Sequence, residues 1–290
     1  MSGSSGTPSP EAAADEPKKS KAGRNLPAAI AVGVLLVAIA LASLYIQIWL
    51  FVVLIVVAIF LGTDELASAL SAKGIHLSKP PLLIAAVVMP VLGFWLGPDA
   101  ALMGFGLLFL FTVLWRLFER GTEDFVRDVT ASSFVLSYAP LMGAFAALIA
   151  ASPDGADRVL VFIVLSIASD IGGYAAGVLF GKHPMAPRIS PKKSWEGFAG
   201  SVTVQIILGA GMFVLLLESQ WWKGAIVGAV MAATATLGDF IESAIKRDMG
   251  IKDMSNLLPG HGGVMDRLDS LIPNTVVAYT LFALTLGGIS

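Results

Sequence analysis

Long runs of apolar residues fill the chain from residue 26 to its last residues. A membrane crossing takes about 20 such residues, so the stretch 26–61 is long enough for two helices, with a turn near 43–48. Further runs cover 82–97, 101–118, 133–151, 158–180, 199–218, 223–246 and 272–289, and a very short Gly-Pro-Asp connection at 97–99 joins the first two of these. The pattern predicts an all-α integral membrane protein, a bundle of about nine transmembrane helices.

The positions of lysine and arginine predict the orientation, because these residues collect in cytoplasmic loops. With a cytoplasmic N-terminus, all but two of the 19 lysine and arginine residues fall on the cytoplasmic side, and the exceptions are Arg158 and Lys223. Residues 1–25 lack an apolar run and have the composition of a disordered tail. We divide the chain into a cytoplasmic tail (1–25), N-terminal transmembrane helices (26–151) and a C-terminal transmembrane region with the candidate chemistry (152–290).

Composition agrees with the bilayer as solvent and excludes several classes of protein. The chain is 56% hydrophobic and 14% charged, and its mean hydropathy is +0.80. A formal net charge of -2 argues against a nucleic-acid partner. The absence of cysteine removes disulfides, thiolate nucleophiles and zinc ribbons, and the three histidines lack the spacing of a zinc hydrolase. Oxygen ligands for a hard metal ion remain.

Three acidic residues, Asp170, Asp239 and Glu242, lie inside the apolar runs. Each ionisable group at bilayer depth costs roughly 2.5–3.5 kcal/mol on insertion scales, so these side chains are expected to face a polar interior. On the eighth span Asp239, Glu242, Ser243 and Lys246 recur at helical spacing and share one face. That face leads into the loop 246–269, where cations, carboxylates and glycines occur together.

The loop 246–269 has the residue types that phosphate chemistry needs. Asp266 and Asp269 together with Asp239 are expected to hold Mg²⁺, with Asp170 as a further candidate, because Mg²⁺ prefers hard oxygen ligands. Glycines at 260, 262 and 263 let the backbone approach a phosphate. Four cations can neutralise phosphate oxygens: Lys246, Arg247, Lys252 and Arg267. The alternative is an ordinary cytoplasmic loop whose acids pair with its bases.

A second basic cluster lies between the sixth and seventh spans, at 181–197. Three prolines predict a fixed, non-helical path, and the cations Lys182, Arg188, Lys192 and Lys193 suit a polyphosphate or an anionic lipid head group. Anchoring to the lipid surface is the alternative interpretation. Glycines at spacing four, at 173, 177 and 181 and at 224 and 228, are expected to serve close helix packing.

The residues from Ser243 onward resemble the C-terminal signature of the phosphatidate cytidylyltransferase family. The signature is matched without departure by Ser243, Lys246, Arg247, Lys252, Asp253, Pro259, His261, Gly262, Gly263, Asp266, Arg267 and Asp269. Two further segments resemble family motifs: 190–197, with Ser194 where threonine is common, and 170–174. By motif the resemblance covers about 165 to 290, and the N-terminal half matches only as an array of hydrophobic helices.

The resemblance implies transfer of CMP from CTP to phosphatidate, which gives CDP-diacylglycerol and pyrophosphate for phospholipid synthesis. It implies Mg²⁺, with a second cation left open, and a site on the cytoplasmic side of the cell membrane among membrane lipids. Asp239, Asp266, Lys246 and Arg267 are then the catalytic set. The substrate-binding set comprises Lys182, Arg188, Ser190, Lys192, Lys193, Ser243, Arg247, Lys252, His261, Gly262 and Gly263. A homodimer is left open.

Three other functions compete with this interpretation. A CTP-dependent lipid or polyprenol kinase uses closely related chemistry and would be separated by product analysis. An alcohol phosphotransferase that consumes CDP-lipids would carry a run of four aspartates at fixed spacing, which does not occur in this sequence. An ion-coupled transporter also buries carboxylates, but here the polar residues crowd one end of the bundle and no inverted repeat is visible.

Overall fold

The computed structural model describes residues 26–255, 257 and 262–287, with the side chains of α1 described from Gly33 onward except Leu36. The predicted tail at 1–25 and the predicted substrate ligand His261 lie outside the described residues. The described chain forms α1 (Leu26–Ile46), α2 (Ile48–Ala72), α3 (Lys79–Arg120), α4 (Phe125–Leu136), a π-helical segment (Ser137–Leu141), α5 (Met142–Ala150), α6 (Gly155–Phe180), β1 (Pro184–Ala186), β2 (Ser190–Ser194), α7 (Trp195–Leu215), α8 (Trp221–Met249), α9 (Met265–Leu268) and α10 (Leu271–Leu286).

Within the described residues, seven helices are long and apolar enough to cross a membrane. They are α2, α3, the continuous stretch Phe125–Ala150, α6, α7, α8 and the stretch Met265–Leu286. A shorter apolar helix covers Gly33–Ile46, in α1. The protein is therefore an all-α membrane protein, as the hydropathy pattern predicted, with one short antiparallel hairpin, β1–β2, as the sheet in its described part.

Helix α3 reverses direction at Gly97. The backbone there is not helical (φ 79°, ψ −172°), in a region that favours glycine. A straight helix would separate residues 92 and 104 by about 18 Å, yet a Cβ built at Gly104 would collide with Leu92 Cδ1. The chain thus folds back as two helical limbs, and the second limb begins with Pro98, a residue well suited to a first helical turn. The break predicted at 97–99 is confirmed.

Glycines let α6, α7 and α8 approach closely, which confirms the packing role predicted for Gly173, Gly224 and Gly228. A Cβ at Gly173 would lie 2.6 Å from Ser201 Oγ on α7. At Gly224 and Gly228 it would collide with backbone oxygens of α7, at Gly209 and Gln205 respectively. Small residues let backbones meet where lipid supplies no hydrophobic force between helices.

Two apolar clusters fill the bundle. One is centred on α2, α3 and the π-helical region and includes Leu66, Leu82 and Leu136. The other is centred on α6, α7 and α8 and includes Leu165 and Met231. Helix α10 contributes to both, with Ile272 in the first and Phe282 in the second. It therefore packs against both clusters along its length.

One of the cations that we place on the cytoplasmic side is buried inside the protein. Helix α3 continues to Arg120, and the Arg116 side chain is 0% exposed. Its Nε and Nη2 donate to Asp128 Oδ2 at 2.9 and 2.6 Å, and the backbone N–H of His76 donates to Asp128 Oδ1 at 3.1 Å. A buried charge persists only when it is paired and hydrogen-bonded, and sequence reasoning missed this pair.

Candidate active site

A cavity of about 310 Å³ lies beneath the β1–β2 hairpin, between α6, α7 and α8. It brings together five predicted residues from the basic cluster at 181–197 and from α6 and α8: Asp170, Ser190, Lys192, Lys193 and Asp239. The sequence did not single out several other lining residues, namely Ser169, Tyr174, Met185, Phe198, Ser201 and Thr236. The cavity thus combines two lysines, two aspartates and several hydroxyl groups inside an apolar bundle.

Local hydrogen bonds hold the hairpin over the cavity. Ser194 caps α7, because its Oγ accepts a hydrogen bond from the Gly197 N–H at 3.1 Å. Glu196 Oε2 accepts hydrogen bonds from the backbone N–H groups of Lys182 and His183 at 3.1 and 3.2 Å. The non-helical path predicted for 181–197 is confirmed up to Ser194. Lys182 and Arg188 are exposed and are not among the cavity-lining residues.

Lys193 reaches from the hairpin to α8. Its Nζ forms an ion pair with Asp239 Oδ2 and lies 5.2 Å from the centroid of the Phe240 ring. Burial lowers the pKa of the Lys193 ammonium to about 8, although the neighbouring Asp269 and Asp170 carboxylates act to raise it. Asp239, an acid inside a predicted span, is therefore paired across the cavity.

The polar face predicted on α8 continues into the signature loop. Lys246 Nζ contacts Glu242 Oε2 one turn earlier on the helix and lies 2.8 Å from Asp266 Oδ1. Asp266 Oδ2 accepts hydrogen bonds from the backbone N–H groups of Met254 and Gly263, both at 2.8 Å. Both oxygens of Asp266 thus already have partners, and the side chain holds the loop together.

A close backbone contact brings Asp269 beside Asp239. A Cβ at Gly238 would lie 2.5 Å from the Asp269 carbonyl oxygen and 3.1 Å from the Ser270 Cα. Only glycine therefore lets α8 approach this segment so closely. Asp269 Oδ1 accepts a hydrogen bond from the Ser270 N–H at 2.7 Å. The predicted acids of α6, α8 and the signature loop thus converge on one end of the bundle.

The donor chemistry of this region suits Mg²⁺, which takes carboxylate oxygens and completes its shell with substrate phosphates and water. Among residues 26–255, 257 and 262–287, however, no three histidine, aspartate or glutamate side chains are grouped closely enough to hold a metal ion. Lys193 and Lys246 instead pair with Asp239 and Asp266. The assignment of metal ligands stays a prediction.

The remaining predicted residues border the region. Arg247, Lys252 and Arg267 are exposed, and Ser243 is half-buried on α8. Gly262 has a positive φ of 83°, and a Cβ there would lie 3.0 Å from Asp266 Oδ2. The predicted need for glycine at this position therefore has a structural reason.

Sequence reasoning missed one acid that contacts the signature loop, Glu65 on α2. Its side chain is buried, and its carboxylate accepts hydrogen bonds from Ser255, Val264 and Met265. A signal was present: Glu65 lies one helical turn after Gly62 and next to Leu66, within the apolar stripe of α2.

Comparison with known proteins assigns the family. Residues 27–285 match the model of the Cytidylyltransferase family. The phosphatidate cytidylyltransferase of Mycobacterium leprae (strain TN) is 43% identical over 282 residues, 91% of this chain and 89% of that protein. That of Mycobacterium bovis is 40% identical over 277 residues, 91% and 90% of the two chains, and that of Haemophilus influenzae is 43% identical over 118 residues, 39% and 41%. The protein belongs to the cytidylyltransferase family.

Proposed function

We propose that this protein transfers the CMP group of CTP to phosphatidate and releases pyrophosphate, so that it makes CDP-diacylglycerol for phospholipid synthesis. The observation that carries the proposal is the polar cavity beneath the hairpin, where lysines of the basic cluster at 181–197 meet Asp170 of α6 and Asp239 of α8. An anionic lipid and a nucleoside triphosphate both present phosphates, which such lysines bind. The names of relatives that align over about nine-tenths of both chains support the same reaction.

The reaction is an in-line displacement. A non-bridging oxygen of the phosphatidate phosphate forms a bond to the α-phosphorus of CTP, and the bond from that phosphorus to the bridging oxygen of the β-phosphate breaks. Pyrophosphate leaves with the electron pair. Catalysis of this type is mainly positioning and neutralisation of charge, without a covalent protein intermediate.

The residues divide this work. Lys192 and Lys193 line the cavity and would bind phosphate oxygens there, while Lys246 and Arg267 neutralise charge at the signature loop. A bound Mg²⁺ would neutralise the nucleotide phosphates, and Asp239, Asp266, Asp269 and Asp170 are the residues that would hold it. Two of these aspartates, Asp239 and Asp266, form ion pairs with Lys193 and Lys246.

We further propose nine crossings, a cytoplasmic N-terminus and a site facing the cytoplasm of the cell. Seven candidate spans, the reversal of α3 at Gly97 and the apolar α1 support nine crossings. The two cations that depart from the cytoplasmic bias have a separate role: Arg158 Nη2 donates to Gly287 O at 3.1 Å, and Lys223 Nζ donates to Thr285 O at 2.6 Å. Cations at the end of α10 are favourable for its dipole.

The test is product analysis with purified protein in detergent. Labelled CTP, phosphatidate and Mg²⁺ should give labelled CDP-diacylglycerol and one pyrophosphate per lipid. A CTP-dependent lipid kinase would instead release CDP and leave the cytidine label out of the lipid. Formation of a phosphorylated lipid without cytidine, or no product at all, would contradict the proposal.

A further inference from the structure

Helix α2, in the half of the chain without recognised motifs, contacts the signature loop directly. The Gly62 position lies against α9: a Cβ there would be 3.3 Å from Met265 Sδ and 3.5 Å from Leu268 Cδ1. One turn later, Glu65 is 7% exposed, although it is a carboxylate. A carboxylate is seldom buried without compensation, so its partners identify what it does.

The partners of Glu65 are all donors of the signature loop. Oε1 accepts hydrogen bonds from Ser255 Oγ at 2.6 Å and from the Val264 N–H at 3.0 Å. Oε2 accepts one from the Met265 N–H at 2.8 Å. The N–H groups at the start of a helix have no partner within the helix, and Glu65 supplies one for α9 from a segment about 200 residues away in sequence.

Glu65 and Asp266 accept hydrogen bonds from consecutive N–H groups of the same backbone segment. The Gly263 N–H donates to Asp266 Oδ2, and the next two N–H groups donate to Glu65. A Cβ at Gly263 would lie 2.5 Å from Glu65 Oε2, so this glycine makes room for the carboxylate. Asp266 in turn meets Lys246. The chain of contacts therefore runs from α2 through the loop to the charged face of α8.

We propose that Glu65 is a positioning residue that fixes the signature loop, and with it Asp266 and Arg267, in the arrangement needed for nucleotidyl transfer. The proposal rests on the function proposed above. Glu65 acts through its hydrogen bonds to the loop backbone. It therefore affects the reaction by setting the positions of the reacting groups. A misplacement of about 1 Å at a reacting centre can cost a hundredfold in rate.

The deciding variant is Glu65→Gln, which keeps the shape but replaces one accepting oxygen with a donor that opposes a loop N–H. We expect kcat per folded molecule to fall roughly 10- to 100-fold, with the KM for phosphatidate within about twofold of wild type. A purely structural role would reduce the yield of folded protein and leave kcat per folded molecule unchanged. Size-exclusion chromatography in detergent and active-enzyme kinetics separate the two results.

Ser255→Ala removes one of the three hydrogen bonds and remains informative if Glu65→Gln does not fold. We expect a smaller loss of kcat, roughly three- to tenfold, and non-additivity when the two changes are combined. The matched control is Asp64→Asn, since Asp64 is the preceding residue of α2 and pairs with Lys79 at 2.7 Å instead of with the loop. It should retain wild-type kcat.

Wild-type kcat in both Glu65→Gln and Ser255→Ala, beside an active parent enzyme, would overturn the positioning role alone. Loss of kcat in Asp64→Asn equal to that in Glu65→Gln would do the same, because it would show a general effect of charge on α2. An inactive parent enzyme would instead contradict the proposed function.

Discussion

Two ion pairs in the helix bundle differ in how far they are open to other partners. Arg116 and Asp128 join α3 to α4 with side chains 0% and 1% exposed, and both oxygens of Asp128 accept hydrogen bonds. Lys193 and Asp239 join the hairpin to α8 with side chains 29% and 20% exposed, and both line the cavity. The first pair is closed off from solvent, whereas the second is partly exposed to the cavity.

The difference shows that a charge within an apolar helix does not by itself mark a functional site. Both pairs carry a desolvation cost, which a buried pair repays only when its geometry and remaining hydrogen bonds are good. Arg116 meets that requirement inside the protein, because it also donates to the carbonyl oxygen of Gly121 at 3.3 Å. The Asp239 side chain, by contrast, borders open space in the cavity. Mutations of the two pairs should therefore have opposite consequences.

The largest expected effect is loss of stability when the closed pair is broken. Asp128→Asn leaves the Arg116 guanidinium buried without a counter-charge, and breaking such a pair costs about 3–5 kcal/mol. The midpoint of unfolding by SDS titration in mixed micelles should fall accordingly. The activity per folded molecule should stay within about twofold of wild type, because neither residue lines the cavity. A stable but inactive variant would contradict the comparison.

The next largest effect is loss of activity when the open pair is broken. Asp239→Asn keeps the shape and removes the charge, so cytidylyltransfer should fall roughly a hundredfold or more, about 2.7 kcal/mol of transition-state stabilisation. The unfolding midpoint should change little, since Asp239 is partly exposed. An active variant with unaltered Mg²⁺ dependence would move the metal to Asp170 or Glu242.

Asp266→Asn should lower both stability and activity, whereas each of the two ion-pair variants should lower mainly one of them. Its Oδ2 holds the Met254 and Gly263 N–H groups, while its Oδ1 faces Lys246. We expect a loss of activity of the same order as for Asp239→Asn, roughly a hundredfold, together with a lower unfolding midpoint. Normal stability with lost activity would assign Asp266 to chemistry alone.

The sequence predicted the parts of the fold that depend on local patterns. The lengths of the apolar runs predicted where the spans lie. The glycines at 224 and 228 predicted close helix packing, which the structure confirms. The number of crossings and the orientation, which we predict from apolar length and from the positions of lysine and arginine, stay predictions. Lys193 of the basic cluster at 181–197 and Asp239 of α8 line one cavity, and their role in binding substrate or metal stays a prediction.

The sequence could not indicate which charges pair across helices. Arg116 and Asp128 lie 12 residues apart on separate helices, and their pairing depends on the angle at which α4 returns. Glu65 and Val264 are 199 residues apart, and a contact of this kind leaves no periodic signal. Two acids predicted to hold metal bind lysines in this structure, because a lone carboxylate next to a lysine pairs with it.

A smaller effect is expected at the lysines of the hairpin. Lys192→Ala and Lys193→Ala should each raise the KM for CTP or phosphatidate roughly tenfold, about 1.4 kcal/mol, because each ammonium lines the cavity and is suited to a phosphate. Lys73→Ala is the matched control, since Lys73 is exposed in the short turn after α2. Unchanged KM values for both substrates would identify the hairpin as an anchor to the lipid surface.

The smallest effect is expected from the tail at 1–25, which carries as many cations as the basic cluster at 181–197: Lys18, Lys19, Lys21 and Arg24. The tail has no apolar run and none of the motif residues, so deletion of the tail should leave specific activity within about threefold. Because cations before the first span also guide its orientation, a matched variant should replace the tail with a short Lys-Lys leader. Recovery of activity by that leader would assign any loss to insertion into the membrane, whereas a loss beyond roughly tenfold that the leader does not restore would show that the tail takes part in catalysis.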